Sequence, residues 1–124
     1  MLTRRPEREG NDVEILAAVL FAAAALGGVF LAARHLGGQK LPGSVAVIHG
    51  AAAATALVLL AIAVLTNDLG SAAVVALVLF VVAALGGFYL VTFHLAGKRH
   101  PTPLVVGHGL IAVVAFLTLL VAII

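Results

Sequence analysis

Residues 26–50 read LGGVFLAARHLGGQKLPGSVAVIHG, and residues 85–109 read LGGFYLVTFHLAGKRHPTPLVVGHG. The second stretch begins 59 positions after the first, and 11 of the 25 aligned residues are identical. The identities include four of the five histidines, as two repeated pairs: His35 with His94, and His49 with His108. Self-similarity at a fixed offset indicates one structural unit used twice. Each unit contains an apolar stretch, a turn and a second apolar stretch, so we predict two tandem helical hairpins.

The composition of the chain places these hairpins in a membrane. Of its 124 residues, 64% are apolar and 10% are charged, whereas soluble domains carry about 25% charged residues. Four apolar stretches, 13–36, 44–66, 71–96 and 103–124, reach the roughly 20 residues that a helix needs to cross a bilayer. Backbone amides in lipid must bond within their own segment, so we predict an all-α integral membrane protein, an up-down bundle of four transmembrane helices.

The repeat also predicts the domain organisation and the symmetry. Residues 1–12 form a polar tail, 13–66 the first hairpin and 71–124 the second. The turns at 37–43 and 97–103 correspond, with glycine to end one helix and proline to start the next. A unit with two spans inserts the same way up each time, so we predict a parallel repeat related by a pseudo-two-fold axis along the membrane normal.

Basic residues suggest how the bundle is oriented. The hairpin loops carry four of them, against three before the first helix. The positive-inside rule therefore favours cytoplasmic hairpin loops, and a bacterial inner or plasma membrane is the expected location.

One stripe of positions on each helix contains most of the identities. All 11 stripe positions of the first hairpin recur in the second, against 7 of 35 other helical positions. Their spacing of 4, 3, 4, 3 is typical of a packed helix seam. We predict that the stripe faces the interior, with the repeated histidines towards the face that carries the hairpin loops. In the first hairpin it comprises Ala17, Phe21, Ala24, Gly28, Leu31, His35, His49, Ala53, Ala56, Leu60 and Ala63.

Paired imidazoles across a bundle suggest axial ligands of a haem iron. In an up-down bundle helix 2 lies diagonally from helix 4, and diagonal axes are roughly 11–14 Å apart, which suits one iron between two imidazoles. The expected ligands are His49 and His108. Small side chains are expected to leave room for the haem plane. These are Gly28, Gly87, Ala53 and Ala112.

The propionates of such a haem would point towards the hairpin loops. Their expected partners are the basic residues Arg34, Lys40, Lys98 and Arg99. His35 and His94, nearer the helix ends, are expected to bond propionates, relay protons or orient the ligand rings, and they are the alternative ligands.

The arrangement resembles in outline the membrane b-type cytochromes, whose haems lie between helices on pairs of histidines. The resemblance implies haem b and a role in membrane electron transfer. Every repeated histidine lies towards one face, so we expect at most one haem per bundle. With little chain outside the lipid, the partner would be a quinone, a redox protein or a larger membrane complex. A homodimer, in which hairpins of two copies pair, is an alternative assembly.

Three other interpretations of the histidines are open. All four imidazoles, His35, His49, His94 and His108, could hold one zinc or copper ion. A histidine could bond a quinone carbonyl or relay a proton. In the third, the chain is a structural or accessory subunit with no cofactor, and its histidines bond loop carbonyls or lipid phosphates at the interface.

Several classes of function find no support in the sequence. There is no cysteine for a thiolate site, and neither a HExxH motif nor an embedded Ser/His/Asp set indicates a hydrolase. An electron carrier or accessory subunit is therefore favoured over a stand-alone enzyme. The net charge of +2 fits the basic fringe of a membrane protein and not a nucleic-acid surface. Glu14 lies near the predicted water boundary without a counterpart in helix 3, which argues against a small multidrug transporter. His100 is not repeated and is expected at the surface.

Overall fold

A computed structural model describes the backbone of residues 6–124 and the side chains of residues 11–124. The described chain forms four α-helices and contains no strand. They are α1 (Pro6–Leu36), α2 (Gly43–Thr66), α3 (Ser71–Leu95) and α4 (Thr102–Ile123). Each contains a segment long and apolar enough to cross a membrane. The predicted all-α class is confirmed, and the protein has the helices of a four-span membrane protein.

The first helix is longer than the hydropathy pattern predicts. It begins at Pro6, seven residues before the predicted start at residue 13. Proline suits a first helical position because its missing N–H would have no partner there. Most of the segment predicted as a polar tail is therefore helix, and it extends α1 by about 10 Å at a rise of 1.5 Å per residue. The rest of that predicted tail, residues 1–5, lies outside the described residues.

The two hairpin turns begin in the same way. Gly38 and Gly97 have φ angles of 70° and 65°, in the left-handed region that glycine adopts at little cost. The amide of Gln39 donates to the carbonyl of Arg34 at 2.8 Å, and that of Lys98 to Phe93 at 2.9 Å. These six-to-one bonds identify Schellman motifs, which terminate α1 and α3 directly after their histidines. The predicted use of glycine at these helix ends is confirmed.

The four helices form a ring in which each contacts two others. α1 lies against α2 and α4, and α3 lies against the same two helices. No close backbone approach joins α1 to α3 or α2 to α4 among the described residues, so these pairs lie on the diagonals. The histidines of α2 and α4 therefore approach each other across the middle of the bundle.

The predicted stripe is the buried face of the helices. Of the fifteen buried residues among the described side chains (thirteen apolar, with Glu14 and His35), twelve belong to the stripe or to its copy. Several of them are alanines, which allow the backbones to approach closely where no hydrophobic effect drives association. Large apolar side chains instead cover the outside, including Leu26, Leu65 and Leu85, as expected for helices that contact lipid.

Two stacked aromatic rings fill the interior between the histidines and the end of the bundle where α1 begins. Phe21 of α1 and Phe80 of α3 stack across the diagonal, with ring centroids 3.6 Å apart and planes within 2° of parallel. Phe21 lies seven residues from Gly28, or about 10 Å along the helix. The stacked rings separate the histidine end of the bundle from the amino-terminal end.

Glu14 differs from its expected position at the water boundary. Only 2% of its surface is exposed, although it lies within the first membrane span. Because α1 begins at Pro6, Glu14 lies eight residues into the helix and not in its first turn.

Candidate functional site

His49 and His108, the bis-histidine pair, face each other in the interior. Each lies six residues into its helix, α2 or α4, and thus about 9 Å from the helix start. Their ring centroids are 6.4 Å apart and their planes are nearly perpendicular, at 86°. The structure therefore brings together the two histidines that were predicted to pair across the α2–α4 diagonal.

Each imidazole of the pair is held by a backbone carbonyl of its own hairpin. Nδ1 of His49 donates to the carbonyl oxygen of Ala24 at 2.7 Å, and Nδ1 of His108 donates to that of Ala83 at 2.7 Å. A carbonyl oxygen only accepts hydrogen bonds, so Nδ1 must carry the proton in both rings. In a neutral imidazole the lone pair is then on Nε2, which makes no hydrogen bond to the described residues in either ring. This is the tautomer and orientation in which histidine binds a metal.

Glycines on α1 and α3 make room for these two rings. A Cβ atom at Gly28 would lie 2.9 Å from Cε1 of His49, and one at Gly87 would lie 3.1 Å from Cε1 of His108. Gly28 and Gly87 also lie one turn after Ala24 and Ala83, the residues whose carbonyls hold the rings. The absence of a side chain therefore lets each imidazole reach its carbonyl. Both glycines, predicted to face a cofactor plane, instead lie directly beside the two imidazole rings.

The two alanines of the predicted site lie one turn beyond the histidines. Ala53 and Ala112 are both half-buried. One turn further along, Ala56 and Ala115 are fully buried in the core that includes the phenylalanine stack. The interior beside the histidines is thus lined by small side chains on α2 and α4.

A second histidine group lies at the loop end of the bundle. His35, His94 and His100 line a cavity of about 380 Å³ between the two hairpin loops, which we call the loop-face cavity. The ring of His100 lies 6.1 Å from that of His35 and 5.9 Å from that of His94. Nε2 of His35 is hydrogen-bonded to Oγ1 of Thr102 at 3.0 Å, which ties α1 to the start of α4.

The sequence interpretation does not anticipate the surroundings of His100. The sequence predicts it at the surface, where it is partly exposed, but the structure places it between two repeated histidines. The available signal is its position immediately before Pro101, the residue that precedes α4. That position brings it close to the ends of α1 and α3. The repeat could not reveal it because Leu41 stands at the equivalent position in the first hairpin.

Three of the four predicted basic residues surround the loop-face cavity. Lys40, Lys98 and Arg99 line it together with the histidines. Arg34 is engaged elsewhere: its Nε donates to the carbonyl of Lys40 at 2.8 Å, and its guanidinium lies 5.8 Å from the centre of the Phe30 ring. Arg34 therefore holds the first loop in shape, while the other three make the cavity electropositive.

The repeated histidines do not form one group of four. His49 pairs with His108, whereas His35 and His94 both lie against His100. Among the described residues, no set of three or more His, Cys, Asp or Glu side chains is arranged to hold a metal ion. No family model, curated protein or solved structure matches this chain. Its function is therefore inferred from the geometry of the two histidine groups.

The surroundings of His100 predict that the stability of the protein depends on pH. Partial burial lowers the pKa of His100 below its usual value, and the neighbouring His94 and His35 lower it further. Below about pH 6.5, the ordinary histidine pKa, the unfolded chain then binds more protons than the folded protein does. The stabilisation of the folded protein that results from the lowered pKa of His100 is complete above about pH 6.5 and is lost as the pH falls.

We expect the Tm of the detergent-solubilised protein to decrease slightly between about pH 7 and about pH 5, and the decrease to be smaller in His100→Gln. Circular dichroism at 222 nm, which follows helix loss, measures both. The group is partly exposed, so the effect is modest. An unchanged pH profile in His100→Gln would contradict this account of His100.

Proposed function

We propose that the protein binds one haem b through His49 and His108 and carries electrons within the membrane. The observation that carries the proposal is the bis-histidine pair. Two inward imidazoles lie at the same depth on diagonal helices, each with Nδ1 hydrogen-bonded to a carbonyl and Nε2 without a hydrogen bond to the described residues.

The separation of the two rings supports this ligation. With a metal–nitrogen bond of about 2.0 Å, two imidazoles on opposite sides of one metal place their ring centroids roughly 6.3 Å apart. The observed separation is 6.4 Å. The distance between the two ring centroids is therefore compatible with one metal atom between them.

The hydrogen bonds to the rings support it as well. Orientation of a metal-binding histidine by a carbonyl on its other nitrogen is a regular feature of metal sites. Here the carbonyls of Ala24 and Ala83 perform this role within rigid helices. The ligands are preorganised, because neither ring has to change tautomer.

The surroundings fit the two ends of a haem. The stacked Phe21 and Phe80 form an apolar floor, and the loop-face cavity with Lys40, Lys98 and Arg99 offers positive charge for propionates. A bound haem supplies one-electron chemistry, with a potential tuned by its ligands and by burial. The residues of the chain hold the ring planes, exclude water from the interior and neutralise the propionates.

The rival interpretation is a structural subunit whose histidines bond loops or lipid at the interface. The hydrogen bonds of His49 and His108 go instead to carbonyls within α1 and α3. Such bonds also join the two helices of a hairpin, so the experiment must distinguish haem ligation from a role in packing alone.

The absorption spectrum of the wild-type protein tests the proposal. The protein, expressed with haem available and purified in mild detergent, should show a Soret band and the sharp α and β bands of a reduced low-spin haem. Pyridine extraction and elemental analysis of the same sample should give about one haem iron per bundle. No Soret band in haem-replete protein would overturn the proposal. Bound zinc or copper without haem would point to the metal alternative.

A further inference from the structure

A buried carboxyl group lies at the end of the bundle opposite to the histidines. The side chain of Glu14 is only 2% exposed, and its Oε1 has no hydrogen-bond partner among the described residues. Glu14 is fourteen residues from Gly28, or about 21 Å along α1. It therefore belongs to neither histidine group, and its chemistry does not depend on haem binding.

The packing of the bundle does not require this carboxyl group. In the second hairpin the equivalent position is Ala73, which is fully buried. One helical turn after Glu14 lies Ala17, also fully buried, and its equivalent Ala76 is buried as well. The helices thus pack around a methyl group at this position in the second hairpin and around a carboxyl group at the equivalent position in the first.

An ionised carboxylate is costly in such a position. Transfer of an unpaired charge into an apolar interior costs far more than transfer of a neutral polar group, so an enclosed acid takes up a proton. The other described carboxylate side chains at this end, Asp12 and Asp68, are exposed to solvent. The last turns of α2 and α4 and the first turn of α3 add no charged side chain. Among the described residues, no cation compensates Glu14.

Glu14 is nonetheless close to water. It lies three residues into the span Asn11–Leu36, about 4.5 Å from its beginning. A small opening of the helix ends would connect the carboxyl group to the aqueous phase on the amino-terminal face. Ionisable side chains inside membrane spans characteristically mark ion or proton pathways.

We propose that Glu14 is a proton-binding site of the membrane interior, which takes up and releases a proton on the amino-terminal face. The enclosed form is the neutral acid. Opening to water lets the acid transfer its proton to water and become the carboxylate, and reprotonation restores the enclosed form.

Infrared spectroscopy of the full-length protein in lipid vesicles tests both parts of the proposal. At neutral pH the wild type should show the C=O stretch of a protonated carboxylic acid. This band should disappear in Glu14→Gln and persist in the matched variant Asp68→Asn, which removes an exposed carboxylate at the same face. After transfer to D₂O the band should shift to lower frequency within minutes.

Two infrared results would overturn the proposal. Absence of the acid band from the wild type would show that Glu14 is ionised. A band that does not shift in D₂O over hours would show an acid that does not exchange its proton. Dicyclohexylcarbodiimide, which reacts with protonated acids in apolar surroundings, provides a test that needs no variant. Mass spectrometry should find it on Glu14 in preference to Asp12 and Asp68, with less labelling at high pH, and equal labelling of all three would contradict the proposal.

Discussion

His49→Ala and His108→Ala are each expected to abolish the Soret band of the purified protein. Each substitution removes one Nε2 ligand and leaves the opposite imidazole without a partner across the 6.4 Å gap. Loss of a merely supporting partner of a metal ligand costs about 10–100-fold in affinity, so loss of the ligand itself should cost more than about 100-fold. Haem titration of the apoprotein, followed by absorbance, measures this effect.

His35→Ala is the matched control. His35 is a repeated and buried histidine too, but its Nε2 is bonded to Thr102 at the loop end. It should keep the Soret band with shifted bands or potential. Addition of free imidazole to His49→Gly should restore part of the low-spin spectrum by filling the space of the lost ring. If His35→Ala abolishes the band while His49→Ala keeps it, the ligand assignment is wrong.

Gly28→Ala is expected to have the second largest effect. Its Cβ would lie 2.9 Å from Cε1 of His49, closer than carbon atoms pack, so the imidazole or α1 must move. Movement of the ring weakens the 2.7 Å bond to Ala24 and misdirects Nε2. Overpacking of this kind costs about 1–3 kcal/mol of stability. The Tm of the apoprotein and its affinity for haem should both decrease.

Two other glycines provide the comparison. Gly87→Ala brings its Cβ to 3.1 Å from Cε1 of His108, so the same effects should appear in milder form. Gly50, next to His49 on α2, has open space around the position of its missing Cβ. Gly50→Ala should therefore leave haem affinity unchanged. If Gly28→Ala and Gly50→Ala behave alike, steric access of the imidazole to Ala24 does not matter.

Much of the candidate site can be predicted from the repeat. Because equivalent positions of a duplicated hairpin face the same interior, the recurrence of His49 as His108 is enough to predict their pairing. The recurrence of Gly28 as Gly87 places small residues beside them, but does not reveal their task. Only the structure shows that these glycines let the rings reach the carbonyls of Ala24 and Ala83.

The residues whose surroundings the sequence does not predict lie where the two copies differ. His100 and Glu14 stand opposite Leu41 and Ala73 in the repeat, so neither benefits from the comparison of copies. Both are polar residues close to the ends of predicted spans, where hydropathy does not reveal which groups surround a side chain. Their burial depends on neighbouring helices that come from distant parts of the chain.

By itself, the sequence determined four apolar helices, their pairing into hairpins and the buried stripe on each helix. These depend on local properties: hydrocarbon thickness sets helix length, glycine and proline set the turns, and the 3.6-residue period sets the face. Only the tertiary structure decided how closely His49 and His108 approach, which nitrogen of each ring stays free, and that Glu14 is enclosed. Distances and tautomers depend on how close the diagonal helices come, which side-chain volumes on all four helices decide together.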